Sequence, residues 1–333
     1  MTNMNNLIKE LENKVVSITG ASGYIGSALI KELEKYPVNK VIRISRKKLS
    51  KIANIEDWVL DLNEKNSWIK IVSQSDIIIH LSGNTSTTVA ENNPRTSLIS
   101  EVLPIISLIH ASKVLSYKPR LVFASTATIY GLTEKFPVNE DHISSPITTY
   151  DLHKFFVEQQ LKMASNDNLI DAISLRLANV YGPSIGESSA YDRGILSKIT
   201  KMSFENENLQ VYGKGNYIRD YIYIDDVVSA FLYASVMDYD EIRKQAEIVF
   251  NVASGKGTSV QNVFSLISNE VEKITGNKLG IKNIPWPNGI NEIEKRSFIG
   301  SANRLKLFSG WSPSITIEEG IDLLVKHYSK EYI

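Results

Sequence analysis

The sequence has no cysteine. That excludes disulfides, thiolate metal sites and a cysteine nucleophile, and it fits a reducing cytosol. Histidine is scarce too: the chain has five, scattered without ligand spacing, so no metal centre is expected. Neither charge sign is in excess, because 37 Lys and Arg balance 37 Asp and Glu. A nucleic-acid binder ordinarily carries a basic excess or stripe, so no nucleic-acid partner is expected. The runs RKK (46–48) and KKLSK (47–51) are short and read as solvated surface. Long apolar runs are also missing. The longest, VVSAFLYASVM (227–237), is too short to cross a bilayer, and the polar start MTNMNNLIKELENK does not read as a signal peptide. A cytoplasmic chain with no membrane partner is expected.

What is present is an alternation. Strand-like runs KVVSITG (14–20), KVIRIS (40–45), DWVLDL (57–62), SDIIIHLSG (75–83), RLVFASTATIYG (120–131) and IDAISLRL (170–177) are separated by helical periodicity. The helical stretches include YIGSALIKELEKY (24–36) and a long helix at 97–115, bent at Pro104. Leu7, Ile8 and Leu11 suggest a short amphipathic arm before the first strand. Strand–helix alternation implies a parallel sheet covered on both faces. The fold class is therefore α/β: a Rossmann-like doubly wound parallel sheet with a smaller, discontinuous C-terminal substrate-binding lobe. Residues 1–182 plus about 220–253 are assigned to the first domain, and about 183–219 plus 254–333 to the second. A segment rich in Gly, Ser and Glu separates Pro183 from the helix GILSKITKM (194–202), and EIVFNVA (247–253) is a strand able to return to the main sheet.

TGASGYIG (19–26) lies between the first strand and the first helix. Gly20, Gly23 and Gly26 allow a sharp turn and a close approach of a pyrophosphate to backbone N–H groups, with Ser22, Tyr24 and Ile25 in the same turn. The helix N-terminus adds partial positive charge. A dinucleotide site is expected here; the plainer alternative is a tight turn without ligand. At the end of the second strand an acid would bind the ribose hydroxyls of NAD. Ser45, Arg46 and Lys47 stand there instead, and a guanidinium suits the extra phosphate of NADP. NADP(H) is favoured over NAD(H), and the competing reading is that Arg46, Lys47 and Lys48 face water. Asp61 and Leu62 are assigned to the adenine ring, and Leu81, Ser82 and Gly83 to the lining of the cofactor cleft.

TTYDLHK (148–154) sets Tyr150 and Lys154 on one helix face. A tyrosine ordinarily titrates at roughly 10, and a neighbouring ammonium favours its phenolate form. Together with TGASGYIG, FASTATIYG (123–131), LRLANVYGP (175–183), GKGNYIRDYIYIDD (213–226), NVASGKGTSV (251–260) and GWSPSITIEEGI (310–321), this stretch resembles the extended short-chain dehydrogenase/reductase family. The likeness is closest to its nucleotide-sugar epimerase, dehydratase and reductase branch and runs nearly end to end. It implies that Tyr150 moves a proton to or from a sugar oxygen, that Lys154 also holds the nicotinamide ribose, and that Thr126 hydrogen-bonds the reacting oxygen.

The resemblance also bears on the reaction. The 4,6-dehydratases place Asp-Glu directly after the threonine, whereas Ala127 and Thr128 stand here, so dehydration is not expected. Two readings stay open: an NADPH-dependent 4-keto sugar-nucleotide reductase, favoured by Ser45 and Arg46, and a C4 epimerase with bound NAD, which STATIYG resembles most. A non-catalytic NADP(H)-binding sensor is a third, minor reading. Asn179, Tyr212, Arg219 and Arg296 match positions that contact a nucleotide-diphosphate sugar; the alternative for Arg219 is a salt bridge to Asp220 or Asp225. Two departures stand out: Glu101 replaces an asparagine, and GSANRL (300–305) lacks an aspartate. His153 is expected to face solvent or a neighbouring subunit. Relatives form homodimers through the helices at 97–115 and around Tyr150, which implies the same here.

Overall fold

Strands buried on both faces read as continuous apolar runs, as IIIH of the central sheet does. The computed structural model describes residues 4–52, 55–84, 86–184, 194–245 and 247–332. Helix α1 (Met4–Leu11) buries Leu7 and Leu11 and leads into β1 (Val15–Thr19), α2 (Tyr24–Leu33), β2 (Lys40–Ser45), β3 (Ile55–Val59), α3 (Lys65–Gln74) and β4 (Ile77–His80). Next come α4 (Thr87–Asn92), α5 (Pro94–Glu101), α6 (Leu103–Leu115), β5 (Arg120–Thr126), α7 (Thr149–Asn166) and β6 (Asp171–Leu177). After β7 (Asn179–Tyr181) follow α8 (Ile195–Phe204), β8 (Leu209–Tyr212), β9 (Ile218–Tyr223), α9 (Ile224–Ser235), α10 (Tyr239–Gln245) and β10 (Val249–Val252). The chain ends with β11 (Gly257–Ser259), α11 (Val260–Thr275), β12 (Ile281–Ile284), α12 (Asn303–Ser309) and α13 (Ile317–Tyr332).

The seven-stranded sheet runs β10-β6-β5-β4-β1-β2-β3, every pair parallel. Strand order therefore reverses between β1 and β4. That switch point opens a crevice at the carboxyl edge, where ligands bind in doubly wound sheets. Helix α2 covers the sheet with Gly26, Leu29, Ile30 and Leu33, a spacing that puts all four on one stripe. β10 joins the sheet edge beside β6, as EIVFNVA suggested. Two small sheets, β11-β9-β7 and β12-β8, carry the C-terminal elements.

Three boundaries differ from the sequence reading. β3 ends at Val59, so Asp61 and Leu62 lie beyond the strand. The run 120–131 stops being a strand at Thr126, whose hydroxyl accepts the N–H of Thr128 and starts a 3-10 turn over Ala127–Tyr130. The long helix at 97–115 is two helices that change over at Val102, with Pro104 in the first turn of α6, where its missing N–H costs nothing. Taken together, Pro94–Leu115 is long and apolar enough to cross a membrane, which the reading of 227–237 as the longest apolar run overlooked; 44% of it is buried within this fold. The Gly-, Ser- and Glu-rich segment at 185–193 lies outside the described residues.

Candidate active site

The turn from β1 into α2 is shaped by glycines that other residues would obstruct. Gly20 has φ +68, and a Cβ there would lie 2.7 Å from the Ser82 backbone nitrogen. A Cβ on Gly26 would sit 2.4 Å from the Gly20 carbonyl oxygen. The turn is closed by Gly23 N–H donating to Gly20 O at 2.8 Å. Gly23 then caps α2 with extended backbone and no side-chain bond to the helix N–H groups. Ser22 and Ile25 flank it, half-buried, and Tyr24 donates its hydroxyl to Gly182 O at 2.9 Å. The turn thereby packs against Leu81, Ser82 and Gly83 at the end of β4, where Leu81 N–H donates to Thr19 O at 3.2 Å. A Cβ at Gly20 or Gly26 would fill this cradle, so the residues present fit a dinucleotide pyrophosphate.

At the end of β2, the Ser45 hydroxyl donates to the Lys47 carbonyl, and Arg46, Lys47 and Lys48 are exposed. The nearby acid Asp57 is occupied, holding Arg43 by contacts of 2.6 and 2.8 Å. Asp61 accepts the Asn63 N–H at 2.9 Å, and the Leu62 carbonyl accepts Trp68 Nε1 at 2.8 Å.

Across the crevice, Thr126 ends β5, and α7, which packs on β5, carries Tyr150 and Lys154. The helix starts where it does because Thr148 accepts the Asp151 N–H at 3.1 Å, an N-cap bond. Lys154 Nζ lies 5.9 Å from the Tyr150 ring centroid and 4.7 Å from that of Phe123, and it donates to Ala124 O at 3.1 Å. Tyr150 is half-buried. Thr126 and Thr128 share a hydroxyl–hydroxyl bond of 2.8 Å, and Thr128 donates to the fully buried Asp151 carboxylate. Burial pushes the Asp151 carboxyl above its usual range, against the pull of its Thr128 bond.

One helical turn further along α7, Glu158 anchors the arrangement. Its carboxylate accepts Ser125 Oγ at 2.5 Å, Arg176 Nη2 at 2.6 Å and Arg176 Nε at 3.0 Å, tying α7 to β5 and β6.

The candidate substrate residues lie on or beside the small sheets. Arg219 on β9 is buried, and its guanidinium donates to Glu294 O at 2.6 Å and to the Arg296 carbonyl. The alternative pairing with Asp220 fails for a clear reason. Asp220 accepts the N–H groups of Ser254, Gly255 and Gly300 at 2.8, 3.0 and 3.0 Å. Arg296 is pushed down to about 10, first by burial and then by the positive charge of Arg219. Asn179 begins β7 and is paired in register with Tyr221 of β9. Tyr212 stacks on Trp286 with centroids 5.2 Å apart.

A sequence profile described as the NAD dependent epimerase/dehydratase family matches residues 16–253. The chain belongs to this family. Among its relatives, a protein of Methanocaldococcus jannaschii named putative UDP-glucose 4-epimerase is 27% identical, over 93% of this chain and 97% of its own. A dTDP-4-dehydro-6-deoxyglucose reductase of Escherichia coli is also 27% identical, over 93% and 96%. The crystal structure of the Thermotoga maritima UDP-glucose 4-epimerase with UDP-glucose is 28% identical and covers 96% of this chain and all of its own, with a TM-score of 0.79.

Within the epimerase/dehydratase frame, several neighbours of the site were not found from the sequence. Glu101 was noted only as a departure, yet its Oε2 lies 2.8 Å from Lys154 Nζ. Asp151 was not singled out although it directly follows Tyr150; a carboxylate in the first turn of an amphipathic helix reads as an ordinary N-terminal acid. Trp286 sits in a loop outside every motif. His153 does not simply face outward: it is half-buried, with Nδ1 2.9 Å from Ser97 Oγ on α5.

Proposed function

We propose that this chain reduces the 4-keto group of a nucleotide-diphosphate sugar with NADPH. Gly20, Ser22, Gly23, Tyr24, Ile25 and Gly26 hold the pyrophosphate, Asp61 and Leu62 meet the adenine, and Leu81, Ser82 and Gly83 line the cleft. The observation that carries the choice of cofactor is at the end of β2. Ser45, Arg46 and Lys47 stand where NAD binding calls for a carboxylate, and the nearby Asp57 is already paired with Arg43.

When bound, the nicotinamide supplies the hydride that goes to the sugar carbon. Tyr150 delivers the matching proton to the C4 oxygen, and Lys154 orients the nicotinamide ribose. Thr126 hydrogen-bonds that oxygen, and its role depends on the line Thr126–Thr128–Asp151. With Asp151 ionised, each hydroxyl donates toward the carboxylate, and Thr126 presents a lone pair suited to an alcohol. With Asp151 protonated, the line reverses and Thr126 donates to a ketone oxygen. The raised Asp151 carboxyl favours this reducing arrangement as pH falls. At the far end Arg219 and Arg296 take the diphosphate, each able to offer paired charge-assisted bonds. Asn179 lies beside them, and the Tyr212–Trp286 stack is a platform for the base.

A C4 epimerase with bound NAD is the second reading. It is favoured by the STATIYG run and by relatives that carry the name UDP-glucose 4-epimerase. Mass spectrometry of the dinucleotide that co-purifies, with fluorescence titration by NADPH and NADH, decides between them. At least about tenfold tighter NADPH binding supports the reductase; stoichiometric NAD that survives purification sinks it.

The domain division read from the sequence places the dinucleotide residues on the first unit and most substrate residues on the second. A cytoplasmic homodimer accompanies this function. On α7, Leu152, Phe156 and Met163 form one exposed apolar stripe, with Leu98 and Ile106 exposed on α5 and α6. Covering these faces is the work of a second copy, and light scattering coupled to size exclusion tests it.

A further inference from the structure

We propose that Glu101 neutralises the charge of Lys154 and so keeps Tyr150 protonated to higher pH, tuning it as a proton donor. This rests on the reading of Tyr150 and Lys154 as the proton-transfer pair. Glu101 is the last residue of α5 and is 1% exposed. Its Oε2 lies 2.8 Å from Lys154 Nζ, and a Cβ on Gly83 would be 2.4 Å from its Oε1. The carboxylate thus fills the space behind the cleft glycine and touches the catalytic lysine. The contact is a close ion pair. Neither carboxylate oxygen has a hydrogen-bond partner among the described residues. Lys154 is therefore the charge that keeps this buried carboxylate in place.

The consequence for Tyr150 follows from Coulomb's law. A lone ammonium 5.9 Å from the ring would favour the phenolate. A carboxylate 2.8 Å from that ammonium turns the field into that of a dipole, which falls off faster with distance. A tyrosine that retains its proton suits reduction, which consumes one proton for each hydride transferred, whereas oxidation of an alcohol needs the phenolate.

The other groups facing the pair leave this balance in place: on α4 the exposed Glu91 accepts the Thr149 N–H at 2.7 Å, beside Tyr150, and its negative charge acts in the same sense as Glu101. On α7, Asp151 turns to Thr128, and His153, its imidazole pulled down by burial and up by Glu101, bonds Ser97 on α5. On β4, burial pushes His80 down to about 3, with the charge of Lys154 adding to the effect, so this imidazole is neutral at working pH. From β5, the Ala124 carbonyl accepts from Lys154 and the Phe123 ring lies beneath it, both uncharged. From the C-terminal segment, Arg296 acts on Asp151.

The test is NMR of protein labelled with 13C at tyrosine Cζ, without cofactor, with Tyr150→Phe identifying the resonance. In the parent protein the Tyr150 signal is expected to keep its neutral-phenol position to about pH 9. In Glu101→Gln its midpoint is expected to fall by at least about one pH unit. The pH optimum for ketone reduction should move to lower pH in step, while Glu101→Asp keeps the parent profile. Equal midpoints in parent and Glu101→Gln, or a parent midpoint below about pH 8, overturn the proposal. Should Glu101→Gln fail to fold, the parent midpoint alone decides. Normal turnover by Tyr150→Phe would instead defeat the underlying assignment of the pair, a separate result from the midpoint shift.

Discussion

Replacing Glu158 by glutamine tests whether the helix that carries Tyr150 and Lys154 is held by a buried ion pair. Glu158 and Arg176 are 0% and 4% exposed, and their closest contact is 2.6 Å. The substitution keeps the shape of the side chain but leaves the Arg176 guanidinium buried without its counter-charge. Breaking such a pair from one side costs about 3–5 kcal/mol. An unfolding entropy of roughly 2.1 cal/mol/K per residue gives about 0.7 kcal/mol/K for this chain, so the melting temperature should drop by roughly 4–7 °C. Because α7 carries Tyr150 and Lys154, a shift of the helix by about 1 Å should also lower kcat by up to ~100-fold. Scanning calorimetry gives the first number and steady-state kinetics the second. The double variant Glu158→Leu with Arg176→Met removes both charges and should recover more than half of the lost stability. It should not recover all of it, since Arg176 also donates to Ser144 Oγ at 3.0 Å and lies 4.6 Å from the Tyr130 ring centroid. A Glu158→Gln protein that melts within about 1 °C of the parent, or a double variant no better than the single, would refute the reasoning.

Three further substitutions address the two ends of the crevice. Gly20→Ala puts a Cβ 2.7 Å from the Ser82 nitrogen at φ +68, so dinucleotide affinity should fall at least about tenfold by fluorescence titration; unchanged affinity would mean the turn does not hold the pyrophosphate. Arg219→Met removes charge-assisted bonds worth about 1.5–3 kcal/mol each, so calorimetry should show nucleotide-sugar affinity falling about 10–100-fold with dinucleotide affinity intact. Parallel losses of both would point to misfolding instead. Asp151→Asn tests the raised carboxyl. The folded protein holds this proton above the ordinary aspartate value of 3.8 while the unfolded chain releases it, so the contribution of Asp151 to stability is lost as pH rises from there through its raised value. The melting temperature of Asp151→Asn minus that of the parent should therefore rise with pH across that window, and a difference that falls with rising pH contradicts the assignment.

Much of the sheet was legible because its physics is local. KVIRIS coincides with β2, and EIVFNVA supplied a strand that does return to the sheet, since buried parallel strands leave unbroken apolar runs. Strands of three residues such as β7 and β11 are too short to show a period, and they emerge only through pairing with β9. Pro104 was read as a bend because a proline within an apolar helical run breaks it. In the folded chain it begins a second helix, and Glu101 ends the first. That junction delivers Glu101 to Lys154, and no local pattern announces a contact made between separate helices.

The chemical residues of the site were legible as types, but their electrostatics were not, and it is the electrostatics that give the crevice a direction. Where α7 meets β5, Lys154 pairs with Glu101, and Asp151 accepts from Thr128. At the other end two guanidiniums lie close enough for the charge of Arg219 to lower the proton affinity of Arg296, and Arg219 is held by carbonyl oxygens, not carboxylates. Buried like charges held this way are unfavourable until an anion joins them. A ligand with a diphosphate at one end and an uncharged sugar carbon at the other matches that gradient, because the anion relieves the arginines while the sugar meets a charge-balanced pair. The same gradient opposes the reverse pose. A diphosphate placed against Lys154 would compete with the Glu101 carboxylate and forgo the bonds that both arginines offer. On the proposed reading, orientation of the substrate therefore follows from where the chain has already paired its charges.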